Sequence, residues 1–161
     1  MDPRIAPLAG QFEVATNLMR KGLDGADTEV LLRRPGPDSN SMLWVAGHLT
    51  QFRCRIAHLL GSERPVPWKE LFRTGSEKRA AAVYPPIAEI AALWEDVSVE
   101  LGRRMLDLEA SELDAPLRAR MPSTDGTIAG ALALFAFHEG YHIGQLGYLR
   151  RWHGLSPLLD G

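Results

Sequence analysis

At 161 residues the chain is long enough to bury a substantial core as one domain, and 45% hydrophobic with 24% charged residues is globular rather than disordered composition. A net charge of −2 gives no bulk attraction to nucleic acid or to an anionic membrane. One cysteine, Cys54, excludes an internal disulfide, and no apolar run nears the roughly 20 residues that span a bilayer, so with no leader-like start a cytoplasmic protein is expected.

The first periodic segment runs from about residue 5 to 23, with Ile5, Leu8, Phe12, Ala15 and Met19 on one helical stripe. Pro7 falls in its first turn, where a missing N–H costs little, and Gly22 and Gly25 punctuate its end. A connector follows, with a weak apolar knot at Val30, Leu31 and Leu32 and a Pro-Gly-Pro break. Ser39, Asn40 and Ser41 each offer an N-cap for a second helix, about 41–60. Its core stripe is Val45, Leu49, Phe52, Ile56 and Leu59, with His48 at the stripe's edge and Gly47 leaving room for a close neighbour. Arg53 and Arg55 flank Cys54, to solvate the outer face or to meet an acidic cofactor group at a pocket mouth; His58 reads as a surface or rim histidine.

Residues 61–86 are irregular, broken by Pro65 and Pro67, with room for a helical turn over Lys69 to Arg73. Trp68, Phe72 and Tyr84 supply aromatic surface there, to pack onto the bundle or to line a pocket. A third helix, about 86–108, carries Ile87, Ile90, Trp94, Val97, Leu101 and Leu108 at helical spacing. Pro116 and Pro122 break the next connector, and Ser123 to Thr127 offer caps for a fourth helix, about 127–152. Arg150 and Arg151 in its last turn complement the helix dipole, and His153 is expected to face solvent. Four long amphipathic helices and no strand pattern predict a single all-α domain over 1–161, a four-helix bundle.

The apolar stripe of the last helix, Ile128, Leu132, Phe135, Leu146 and Leu149, passes in its middle through His138 and His142. Residues four apart are turned by only about 40° and displaced by about 6 Å, so both imidazoles can reach one point. Two core histidines each need a polar partner, which a shared metal ion supplies. His48 is the one other histidine on a core-facing stripe and completes a three-histidine set with a position left for water or substrate. The string His138-Glu139-x-x-His142 also suggests a metalloprotease, but no Glu follows Glu139, and Gln145 and Tyr148 stand where the longer protease motif needs Gly and His. Weak catalytic candidates are Glu139, as a base or a carboxylate facing solvent or backing a ligand; Tyr141, as a donor to an oxyanion; and Gln145, through its amide.

The segments Trp44-x-x-Gly47-His48-Leu49 and His138-Glu-x-Tyr141-His142-x-Gly144-Gln145-Leu146 resemble those of the DinB/YfiT-like superfamily, and the likeness covers about Ile5 to Gly154. The resemblance implies an up-down-down-up bundle with a divalent metal held by His48, His138 and His142. It also implies a homodimer and, from members of known activity, a transferase or isomerase using a low-molecular-weight thiol. Zinc and nickel both suit imidazole ligands. The expected function is therefore a metal-dependent enzyme in which a bound thiol or water is activated toward a small-molecule substrate. The alternatives are a non-catalytic metal-binding or stress-response module and a metal-dependent hydrolase.

Overall fold

The structure is a computed structural model and describes residues 2–73, 75–76, 83–117 and 121–159; parts of both expected connectors, 61–86 and 114–125, fall outside the described residues. Seven helices and no strand are present among them: α1 Ile5–Leu23, α2 Thr28–Leu32, α3 Met42–Leu59, α4 Lys69–Phe72, α5 Ile87–Leu106, α6 Ala110–Leu113 and α7 Ile128–Trp152. Helices α1, α3, α5 and α7 form the bundle. Their ends follow local chemistry. Ser41 caps α3 by accepting from the Trp44 N–H, and Thr127 caps α7 by accepting from the Gly130 N–H. Gly25, just beyond α1, and Gly154, just beyond α7, have positive φ, which only glycine adopts without strain.

Helices α1 and α3 each pack against both α5 and α7, so α1 stands diagonally across from α3 and α5 from α7. The core divides along the bundle axis and fixes direction. At one end Ile5 and Phe12 of α1 meet Ile56 of α3, Leu101 of α5 and Leu132 of α7. At the other, Met19 meets Val45, Ile90 and Leu146. Early α1 thus lies with early α7 but with late α3 and late α5, which is up-down-down-up.

The short helices were not all anticipated. The apolar knot at Val30 to Leu32 forms α2, with Leu31 buried, and α2 and α4 both pack on α3. They cover the side of α3 that a lone amphipathic helix turns to water, so Met42 through Gln51 are all buried, His48 included. Leu108 is buried but lies beyond the end of α5, where Met105 takes the last core position of the helix.

Three polar side chains depart from the sequence expectation, the two arginines because each finds partners inside. Arg53 is completely buried rather than on an outer face. Its Nε donates to Glu139 Oε1 (2.9 Å) and a second nitrogen to Glu139 Oε2; Thr16, Ser98 and the Phe12 carbonyl accept its remaining protons. The guanidinium lies 3.6 Å from the ring centroid of Trp94. Arg150 is likewise buried. It donates to the carbonyls of Gly22 (3.1 Å) and Asp24 (2.7 Å) past the end of α1 and of Ser156 (2.8 Å), so it does more than complement a dipole. His153 is half-buried against Trp152, not solvent-facing. His58 is exposed as expected. No helix of the described residues is long and apolar enough to cross a membrane.

Candidate metal centre

Helix α3 brings His48, and two successive turns of α7 bring His138 and His142, to one point between the helices. One ring nitrogen from each lies within 4.8 Å of the others. His48 Nε2 and His138 Nε2 are 3.1 Å apart, and the ring centroids of both lie 4.5 Å from that of His142. Among the described residues this is the one group of three or more His, Cys, Asp or Glu side chains with that convergence.

The outer nitrogens set the chemistry. His48 Nδ1 donates to the Phe72 carbonyl at 2.6 Å. A carbonyl only accepts, so the Nδ1 carries the proton and the Nε2 lone pair points inward. His142 Nδ1 pairs in the same way with Gln145 Oε1 at 2.9 Å. Two of the three rings are thereby held in the tautomer that a metal ligand needs. His138 Nδ1 is buried with no hydrogen-bond partner among the described residues. Metal–imidazole bonds of 2.0–2.1 Å put two ligating nitrogens on one ion about 3 Å apart, close to the separation of the His48 and His138 Nε2 atoms. The donor set therefore fits a divalent cation.

Burial keeps the rings neutral. It pushes His48 down to about 4 and His138 to about 3, and it lowers His142 against the opposing hydrogen bond from Gln145. Neutral imidazole is the form that binds metal. The walls are aromatic: Trp44 stacks on His48 (4.7 Å between centroids), Phe52 on His138 (4.4 Å), and Tyr141 meets His142 edge-on (5.1 Å). A groove of about 260 Å³ adjoins Gln145, lined by Pro35, Asp38, Ser39, Asn40, Tyr148 and Leu149.

The remaining candidates separate. The buried stripe of α7 passes through Glu139 rather than His138, which sits at its half-buried edge. Glu139 is 1% exposed and paired to Arg53, so it is neither solvated nor behind a ligand ring. Burial raises its pKa and Arg53 opposes that rise. Tyr141 is exposed beside His142, and Gln145 holds His142 directly. Sequence reasoning missed Phe72 as the residue that orients His48. The available signal was Gly47: a Cβ there would stand 2.2 Å from Phe72 Cζ, so the glycine admits the ring whose backbone carbonyl meets His48. Phe72 stacks in turn on Tyr84, so both aromatics pack onto the bundle.

A family model described as DinB superfamily matches residues 11–146. No curated protein matches the chain significantly.

Proposed function

The chain belongs to the DinB superfamily, and we propose that it is a metal-dependent enzyme of the thiol S-transferase or isomerase type, with His48, His138 and His142 holding zinc or nickel. The observation that carries this reading is the convergence of the three rings, with the Nδ1 protons of His48 and His142 already committed to oxygens outside the cluster. A divalent cation held by neutral imidazoles supplies Lewis acidity, making a bound thiol or water acidic near neutral pH.

The chain's own residues do the rest. Gln145 orients His142 and faces the groove, where a small substrate or thiol would lie against Asp38, Asn40 and Tyr148. Trp44 and Phe52 keep water from the inner side of the rings. Tyr141 packs edge-on against His142, and in this reading its hydroxyl donates to a developing oxyanion. Glu139 is locked to Arg53, which weighs against the metalloprotease reading, in which it would be the base.

The complete burial of His48 supports a second reading, in which the metal is structural and the protein a non-catalytic module. Elemental analysis of untagged protein tests the site: about one equivalent of metal is expected, lost in His142→Ala with helical circular dichroism retained, and unchanged metal in that variant would sink it. Cobalt substitution separates the two readings. Visible bands that shift on adding a small thiol mark an open coordination position, whereas invariant bands mark a closed, structural one.

A further inference from the structure

Helices α1 and α5 run antiparallel, and a groove of about 360 Å³ lies between them, lined by none of the three histidines. Its α1 wall is the stripe Ala9, Phe12, Thr16 and Arg20, about 16 Å along the helix. Arg20 meets Glu95 of α5 through two hydrogen bonds (3.0 and 2.6 Å) that close one end. Thr16 and Ser98 come next, joined by the buried Arg53, whose Nη1 donates to both hydroxyls at 2.6 Å. Beyond them the lining is apolar, with Ala9 and Phe12 against Leu101, Met105 and Leu106. The apolar end is open to solvent. Val99 and Leu106 are 54% and 56% exposed, and at Gly102 between them a Cβ would meet nothing within 4 Å. The groove thus runs from charge through hydroxyls to hydrocarbon.

Hydrogen bonding at the hydroxyls decides which charge an occupant carries there. Every N–H proton of Arg53 is committed, to Glu139, the Phe12 carbonyl, Thr16 and Ser98. Thr16 donates its own proton to the Phe12 carbonyl at 2.8 Å, and Ser98 donates to the Trp94 carbonyl. Arg20 is engaged by Glu95 and Asn17. The floor therefore has no proton to offer an anion. What remains accepts. Each hydroxyl oxygen keeps a second lone pair, and Glu13 on the groove's rim has no hydrogen-bond or ion-pair partner among the described residues. With Arg20 balanced by Glu95 and Arg53 by Glu139, Glu13 is the uncompensated charge.

We propose that this groove binds a small organic amine, a primary ammonium at the end of a short apolar chain. An ammonium has three protons and no lone pair, which matches a floor and rim made of acceptors. It donates to Thr16, Ser98 and Glu13, and its chain lies over Phe12, Leu101 and Met105 toward the open end. The volume falls at the lower end of the roughly 300–1,000 Å³ of small-molecule sites, so the occupant is a short amine rather than a long lipid.

Titration of the full chain, followed through its assigned amide NMR signals, tests the proposal with hexylamine, hexanol and hexanoate, alike in length and different in charge. Hexylamine is expected to give saturable shifts confined to α1 and α5. Hexanol should bind there at least about fivefold more weakly, because bonds to charged groups are the stronger ones, and hexanoate should not bind. Glu13→Gln is expected to weaken hexylamine by about twofold to fivefold, the range of an exposed ion pair, and to leave hexanol unchanged. Gly102→Leu puts a side chain into the groove and should abolish binding of both, with helical dichroism kept. No saturable binding of any probe overturns the proposal. Hexanoate binding as tightly as hexylamine, or hexylamine binding that survives Gly102→Leu, overturns it equally. Metal content is read separately, so none of these failures touches the three-histidine site.

Discussion

Gly47 shows how one missing side chain reaches the three-histidine cluster. Its bare Cα makes room for the Phe72 ring, and the Phe72 carbonyl holds the Nδ1 proton of His48. Gly47→Ala forces that ring outward, because a Cβ would stand 2.2 Å from Phe72 Cζ. Loss of an oriented ligand partner typically weakens metal binding about 10–100-fold, and that is the expected result of a competition titration with a chromophoric chelator. An affinity unchanged by Gly47→Ala would show that the carbonyl does not orient His48. At this scale the sequence was legible where spacing alone decides. His138 and His142 stand four apart on one helix, and His48 sits one turn before the core residue Phe52. Phe72 was not legible as a partner, since its contribution is a backbone carbonyl brought across from an irregular connector, and a backbone atom has no sequence signature.

Among the elements, α7 holds the histidines on one edge of its inner stripe and Glu139 at the stripe's centre. The Glu139–Arg53 pair ties α7 to α3, and Thr16 and Ser98 extend it to α1 and α5, so all four long helices share one buried polar network. Removing one partner of such a pair strands the other charge, at a cost of about 3–5 kcal/mol, while exchanging both for apolar residues is often neutral. Glu139→Leu is therefore expected to lower the urea midpoint sharply and the double variant Arg53→Met/Glu139→Leu to regain most of it. Equal losses in both variants would mean that Thr16 and Ser98, not the ion pair, carry the network. The bounds of the long helices were readable to within one or two residues from apolar period, caps and glycines. Arg53 was not. A charged residue next to a cysteine reads as surface, and only the three-dimensional meeting of α3 with α7 discloses a carboxylate to receive it. The extra helices α2 and α6 escaped for a related reason, since five and four residues carry too little period to be distinguished from loop, whereas the helical turn expected over Lys69 to Arg73 is present as α4.

For the whole molecule, the neutral histidines make stability depend on pH. In the unfolded chain each takes up a proton near 6.5, whereas the folded state holds His48 down to about 4 and His138 to about 3. Below about 6.5 the unfolded chain therefore binds more protons, so stability is full above that pH and drains away as pH falls toward the folded values. Urea midpoints of metal-free protein should decline from pH 7 to pH 4.5, and more gently when all three histidines are replaced by glutamine; parallel declines would assign the effect to other groups. The up-down-down-up order implied by the family resemblance is visible in which ends of the helices share a core. A last consequence follows from where the partner of His48 resides. The Phe72 carbonyl sits at the end of a four-residue helix in the long second connector, not on a bundle helix. Short, loop-borne elements open locally far more often than a packed core does. A bound ion would then depend for both its affinity and its residence time on how firmly α4 stays packed on α3, so a substitution in that short helix is expected to loosen the ion without touching a ligand.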